Sequence, residues 1–121
     1  MPKKILVVED NQDTRELFVF LLKSLGFEVV AATDGHKGLE CARAEAPDLI
    51  LTDINMPNLN GIDMIRMLRA EAAFRTVPIV AITAYDSAFH CEATAAGATI
   101  ALRKPIEFDQ LTGKIEQLLQ A

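Results

Sequence analysis

The sequence predicts an α/β fold: a doubly wound parallel sheet of five strands alternating with five helices. Three observations carry this expectation. Short β-branched and leucine-rich runs recur along the chain, each followed by apolar residues at three- and four-residue spacing. The run Leu49-Ile50-Leu51 gives the third strand a solid apolar middle, which suits a strand covered on both faces, as in a parallel sheet. Regular β-α alternation then calls for right-handed crossovers and helices on both sides of a parallel sheet.

Lys4 to Val8 is the first strand, cut off by Glu9-Asp10-Asn11. Leu17, Phe18, Leu21, Leu22 and Leu25 mark the first helix. Asp13 or Thr14 is expected to cap its start, and Gly26 to close its end. Phe27 to Ala32 is the second strand. Asp34-Gly35 signals a turn into a helix that runs to about Ala46, with Leu39 and Ala42 facing in and Pro47 breaking it. Asp48 to Asp53 is the third strand. A loop from Ile54 to Gly61 leads to a helix carrying Met64, Ile65 and Leu68. Pro78 to Thr83 is the fourth strand, followed by a helix from about Asp86 to Ala96 that ends at Gly97. Thr99 to Arg103 is the fifth strand, closed by Lys104-Pro105. The last helix runs from about Glu107 to Leu119 on Phe108, Leu111, Ile115 and Leu118. Gly113 weakens it by roughly 1 kcal/mol relative to alanine.

The 121 residues amount to one compact domain, expected to span 1–121, and half of them are hydrophobic. Twelve Lys and Arg stand against seventeen Asp and Glu, a net charge of −5, which argues against a nucleic-acid-binding surface. No uninterrupted apolar stretch is long enough to span a membrane, and the apolar run near the amino terminus is too short for a secretory signal. A cytoplasmic location is the expectation. Cys41 and Cys91 read as reduced structural thiols. His36 and His90 read as surface residues, and no histidine-cysteine spacing suggests zinc.

In a fold of this kind ligands gather at the carboxyl ends of the strands. Glu9-Asp10 follows the first strand, Asp53 ends the third, Thr83 ends the fourth and Lys104 follows the fifth. Each has an ordinary reading taken alone: a helix cap, a turn residue, a strand hydroxyl, a solvated charge. Topology brings all of them to one rim, and together they carry the functional reading. Two carboxylates ~4 Å apart repel by about 4 kcal/mol at an effective dielectric of 20. Three would take up a proton unless a cation intervened. A hard divalent ion with oxygen ligands answers this, Mg2+ foremost. Lys104 adds a second positive charge, so the rim is equipped for an anion that brings negative oxygens. No glycine-rich phosphate cradle is present, so a nucleotide is not the evident ligand.

These residues resemble the receiver domains of two-component response regulators, over the whole chain and most closely in the stand-alone, chemotaxis-type form. The resemblance lies in Val7-Val8-Glu9-Asp10, in Leu51-Thr52-Asp53-Ile54-Asn55-Met56-Pro57-Asn58-Leu59-Asn60-Gly61, in Ala81-Ile82-Thr83-Ala84 and in Lys104-Pro105. It implies a flavodoxin-like (βα)5 arrangement and a phosphorylation-dependent switch rather than a conventional enzyme. Asp53 is then the nucleophile that takes a phosphoryl group from a phosphohistidine of a sensor histidine kinase or phosphotransfer protein. Asp10, Asp53 and the backbone carbonyl of Asn55 are the implied Mg2+ ligands, with Glu9 acting through bound water. Thr83 and Lys104 are implied to hold phosphoryl oxygens. The Lys104-Pro105 bond is expected to be cis, and Ala84 to leave access to Asp53. The implied partner surface is the face made by the fourth helix, fifth strand and last helix. The same site would favour hydrolysis of the aspartyl phosphate.

One position departs from the family pattern. Receivers usually carry Tyr or Phe three residues before the lysine, where this chain has Ala101. Coupling between Thr83 and an aromatic ring at 101 is therefore not available here, and Tyr85 is a candidate substitute. Two other readings stand beside the receiver. One is a binding module on the same fold that does not cycle phosphate. The other is a phosphatase of the haloacid-dehalogenase type, which wants an acid where Asn55 stands, and a longer chain.

Overall fold

The structure, a computed structural model, describes residues 2–54, 59–84 and 89–120. Five strands form one parallel sheet: β1 (Lys4–Val8), β2 (Glu28–Ala32), β3 (Leu49–Asp53), β4 (Ile79–Thr83) and β5 (Ile100–Arg103), in the order β2-β1-β3-β4-β5. Between and after them lie α1 (Gln12–Ser24), α2 (Gly35–Glu45), α3 (Gly61–Arg69), α4 (Phe89–Ala96) and α5 (Phe108–Leu119). The sequence expectation of a doubly wound five-stranded sheet with five helices holds, and the strand boundaries differ from it by at most one residue.

Alternation along the strands sorts the core into two layers. Ile5, Val7, Leu49, Leu51, Val80 and Ile82 face α1 and α5, where Phe18, Leu22, Leu111 and Ile115 meet them. Leu6, Val8, Ile50, Ile79 and Ala81 face α2, α3 and α4, against Leu39, Ala42, Met64, Ile65, Leu68 and Ala93. Every residue of β3 and β4 is buried, as the unbroken apolar runs require. The rings of Phe18 and Phe108 meet edge to face at 6.3 Å, tying α1 to α5.

Helix ends follow local chemistry. Asn11 caps α1, its side chain accepting from the Thr14 N–H at 2.9 Å, in place of the expected Asp13 or Thr14. Asp34 and Asn60 cap α2 and α3 in the same way. The α1 stripe is only partly covered: Phe18 and Leu22 are buried, whereas Leu17, Phe20 and Leu25 are exposed.

A 3-10 turn at Ala72–Phe74 joins α3 to β4 and has no counterpart among the expected elements. The Arg69 guanidinium holds that connection, donating to the carbonyls of Phe74 (2.6 Å), Val77 (2.7 Å) and Gly97 (2.9 Å). Gly97 has φ +125°, which closes α4 against Arg69 in a conformation open to glycine. Among the described residues no helix is long and apolar enough to cross a membrane.

Candidate functional site

The order β2-β1-β3 reverses the direction of winding at β1 and β3, so a crevice opens at their carboxyl ends. β1 stops at Val8, yet Glu9 stays tied to the sheet edge, its N–H donating to the Ala32 carbonyl at 3.1 Å. The Glu9 side chain is buried, while Asp10 is exposed. The first turn of α1 braces this acidic corner. The Asn11 N–H donates to Glu9 Oε2 at 3.3 Å, and Arg15 Nη1 donates to the Glu9 carbonyl at 3.0 Å.

Asp53 ends β3 and is 6% exposed. The Ile54 N–H donates to the Ile82 carbonyl at 3.1 Å, and the Gly61 N–H donates to the Ile54 carbonyl at 3.0 Å. Ile54 and Gly61 are thus held to each other and to β4 directly after Asp53. A side chain on Gly61 would run into the Asp53 carbonyl and come within 2.8 Å of Ile54 Cα, so only glycine fits this approach.

Lys104 follows β5. Its N–H donates to the Thr83 carbonyl at 2.8 Å, and its ammonium lies 3.6 Å from Asp53 Oδ2. The Lys104-Pro105 bond is cis, as the sequence suggested. Glu9, Asp10 and Asp53 each present a carboxylate oxygen within 4.8 Å of the other two. The structure therefore brings together four of the candidate residues, Glu9, Asp10, Asp53 and Lys104, from three strand ends. Asn55 and Tyr85 lie outside the described residues.

Thr83 occupies the predicted strand end. Its buried hydroxyl lies 3.3 Å from His90 Nδ1 on α4 and donates to the Leu102 carbonyl at 3.4 Å. His90 is therefore not the surface residue that the sequence suggested; it is half-buried against Thr83. The small, weakly polar residues around it give the helix no strong apolar face, so periodicity could not say which way His90 turns.

The electrostatics follow from crowding. Glu9 is raised from its ordinary 4.5 to about 8, first by burial and then by the negative charge of Asp53. Hydrogen bonds to Asp10 and Asp53 favour the protonated form further, while the Asn11 N–H works against it. A buried carboxyl beside two others makes a set of hard oxygen donors whose negative charge Lys104, 3.6 Å from Asp53, offsets only in part. It fits a divalent cation such as Mg2+ better than any softer metal.

Residues 5–116 match the sequence profile of the response regulator receiver domain. The chain belongs to this family. Such receiver domains are the signalling switches of two-component systems and interact with histidine kinases and downstream effectors. The polar-differentiation response regulator DivK of Brucella anthropi is 36% identical over 85 residues, covering 70% of this chain and 69% of DivK. The chemotaxis response regulator CheY4 of Vibrio cholerae superimposes with a TM-score of 0.89 at 28% identity, over 98% of this chain and all of CheY4. The receiver domain of the sensor histidine kinase PA1611 of Pseudomonas aeruginosa PAO1 gives 0.92 at 30% identity over the full length of both chains. Its crystal structure has a magnesium ion coordinated in the active site cleft. The five-stranded parallel sheet with its five helices is thus the receiver fold.

Proposed function

We propose that this receiver domain, taken as one module across the chain, is switched by a phosphoryl group accepted on Asp53. The observation that carries the reading is the meeting of the Asp53 carboxylate with the Lys104 ammonium at 3.6 Å, beside two further carboxylates within 4.8 Å. A carboxylate flanked by a fixed cation and a ready-made cation site is arranged to attack an anionic group, and to tolerate its charge afterwards.

The donor is a phosphohistidine on a sensor histidine kinase or phosphotransfer protein. An Asp53 oxygen attacks phosphorus and forms the O–P bond. The P–N bond breaks with its electron pair left on the imidazole nitrogen, which takes up a proton. In-line transfer spreads negative charge over three equatorial oxygens. Lys104 pairs with one of these oxygens, and the Thr83 hydroxyl can donate to another. Glu9, Asp10 and Asp53, with the backbone of Asn55, would hold Mg2+, with Glu9 acting through bound water. When bound, that ion supplies charge neutralisation at the transferring oxygens. Hydrolysis reverses the state: a water oxygen attacks phosphorus, and Asp53 leaves as the carboxylate with inorganic phosphate. The signal then passes to a partner protein through the face made by α4, β5 and α5, within the cytoplasm.

Incubation with acetyl phosphate and Mg2+, followed by intact-mass spectrometry, tests the reading. The expected result is one added phosphoryl group, absent without Mg2+ and absent in Asp53→Asn. An unmodified wild-type chain would favour a module that only binds partners. Turnover of unrelated phosphate esters would favour a phosphatase.

A further inference from the structure

The Thr83 hydroxyl carries one proton and has two polar neighbours, a carbonyl that accepts that proton and an imidazole nitrogen that can donate to the oxygen in its Nδ1–H tautomer. It donates to the Leu102 carbonyl at 3.4 Å and lies 3.3 Å from His90 Nδ1. Thr83 is 1% exposed, so no solvent competes for that oxygen. It shares the strand parity of Ile79 and Ala81, which places it on the side of the sheet covered by α4. His90 reaches it from the first turn of that helix.

Beside this pair the packing is open. A groove of about 360 Å³ is lined by His90, Ala101, Leu102, Arg103, Ile106 and Gln110, among others. Ala101 stands level with Ala81 across the β4–β5 ladder and offers only a methyl group to the space. His90 is one wall of a groove large enough for its own ring, and among the described residues its hydrogen-bond partner is Thr83.

We propose that His90 is a positioning residue that holds the Thr83 hydroxyl away from Asp53 in the unphosphorylated state. When a phosphoryl oxygen takes that hydroxyl, the His90 bond breaks and the imidazole turns into the groove beside Ala101. The two bonds exclude each other because Thr83 must rotate or shift to leave α4 for the rim. The event at the strand end thereby becomes a change in the surface shared by α4, β5 and α5. The inference rests on the aspartyl-phosphate reading given above, and its test separates the two.

The ring signals of His90 are followed by NMR while beryllofluoride and Mg2+ are added, with the backbone amides of Asp53 and Lys104 as internal reporters. The expected result is that the ring signals move together with those amides. In Thr83→Val the His90 ring starts from a displaced position and no longer responds. Beryllofluoride affinity supplies a second readout. His90→Ala binds roughly two- to tenfold more tightly, the value of one neutral hydrogen bond. The gain disappears in the His90→Ala/Thr83→Val double variant, since the two residues act through one bond. Amides that shift while the His90 ring stays still would overturn the inference and leave the receiver reading intact, as would additive effects in the double variant. Amides that do not respond at all would overturn both.

Discussion

The Lys104 ammonium stands 3.6 Å from Oδ2 of Asp53, with Asp53 buried and Lys104 half-exposed. The pair joins the ends of β3 and β5, on opposite sides of β4, and fixes the distance between the attacking oxygen and a permanent cation. Replacing Lys104 by alanine removes the charge and leaves the three carboxylates in place. Phosphorylation of Lys104→Ala by acetyl phosphate is expected to fall by about 10²-fold, in line with the loss of one transition-state donor. Mg2+ affinity, followed by titration, should rise or stay level in the same variant, because a competing cation has gone.

Glu9 gives the site a pH dependence. Its folded value of about 8 lies above its ordinary 4.5, so between the two the folded, metal-free protein binds more protons than the unfolded chain. That stabilisation is complete below 4.5 and is lost as pH rises through about 8. Thermal unfolding without Mg2+ should therefore show a melting temperature that declines across this window. Glu9→Gln should flatten that decline.

Cation binding must displace the Glu9 proton, so apparent Mg2+ affinity should increase with pH up to about 8 and then level off. Calorimetric titration in buffers of different ionisation enthalpy would read the released proton directly. An affinity independent of pH across that range would remove Glu9 from the cation site.

Gly61 packs closely against the backbone at the end of β3. A methyl group there meets the Asp53 carbonyl and Ile54 Cα, both backbone, so the loop rather than a side chain has to move. Gly61→Ala is expected to cost about 1–3 kcal/mol in urea unfolding. It should also slow phosphorylation, because the same shift displaces Asp53.

Much of this was legible in the sequence, for identifiable reasons. The strands are short apolar runs closed by charged or turn residues, so β1, β3 and β4 could be placed within a residue. Asp53, Glu9-Asp10 and Lys104 follow from topology, since parallel strands with helical crossovers send every carboxyl end to one rim. Contacts that depend on side-chain direction were not legible. The cap of α1 is Asn11 because the helix begins at Gln12, a detail that any of several adjacent polar residues could have satisfied. His90 lies on a helix of small residues whose inward face no periodicity marks. Arg69 reads in the sequence as the basic end of α3, and only the fold shows that the carbonyls of Phe74 and Val77 in the following connection and of Gly97 after α4 accept from it.

Arg69 offers a control for the site. Its bonds to Phe74, Val77 and Gly97 lie at the amino-terminal edge of the sheet, away from Asp53. Arg69→Ala is expected to destabilise the fold by about 1–3 kcal/mol, leaving partly buried carbonyls without their donor. At a temperature where the variant remains folded, its Mg2+ affinity should match that of the wild type.

The arrangement of the rim itself is tested most directly by a crystal structure grown with Mg2+ and beryllofluoride. The account predicts fluoroberyllate on an Asp53 oxygen, Mg2+ bound by the Asp10 and Asp53 carboxylates, and the Lys104 ammonium against a fluoride. A bare Asp53 carboxylate, or a magnesium ion settled elsewhere while Lys104 turns to solvent, would contradict it.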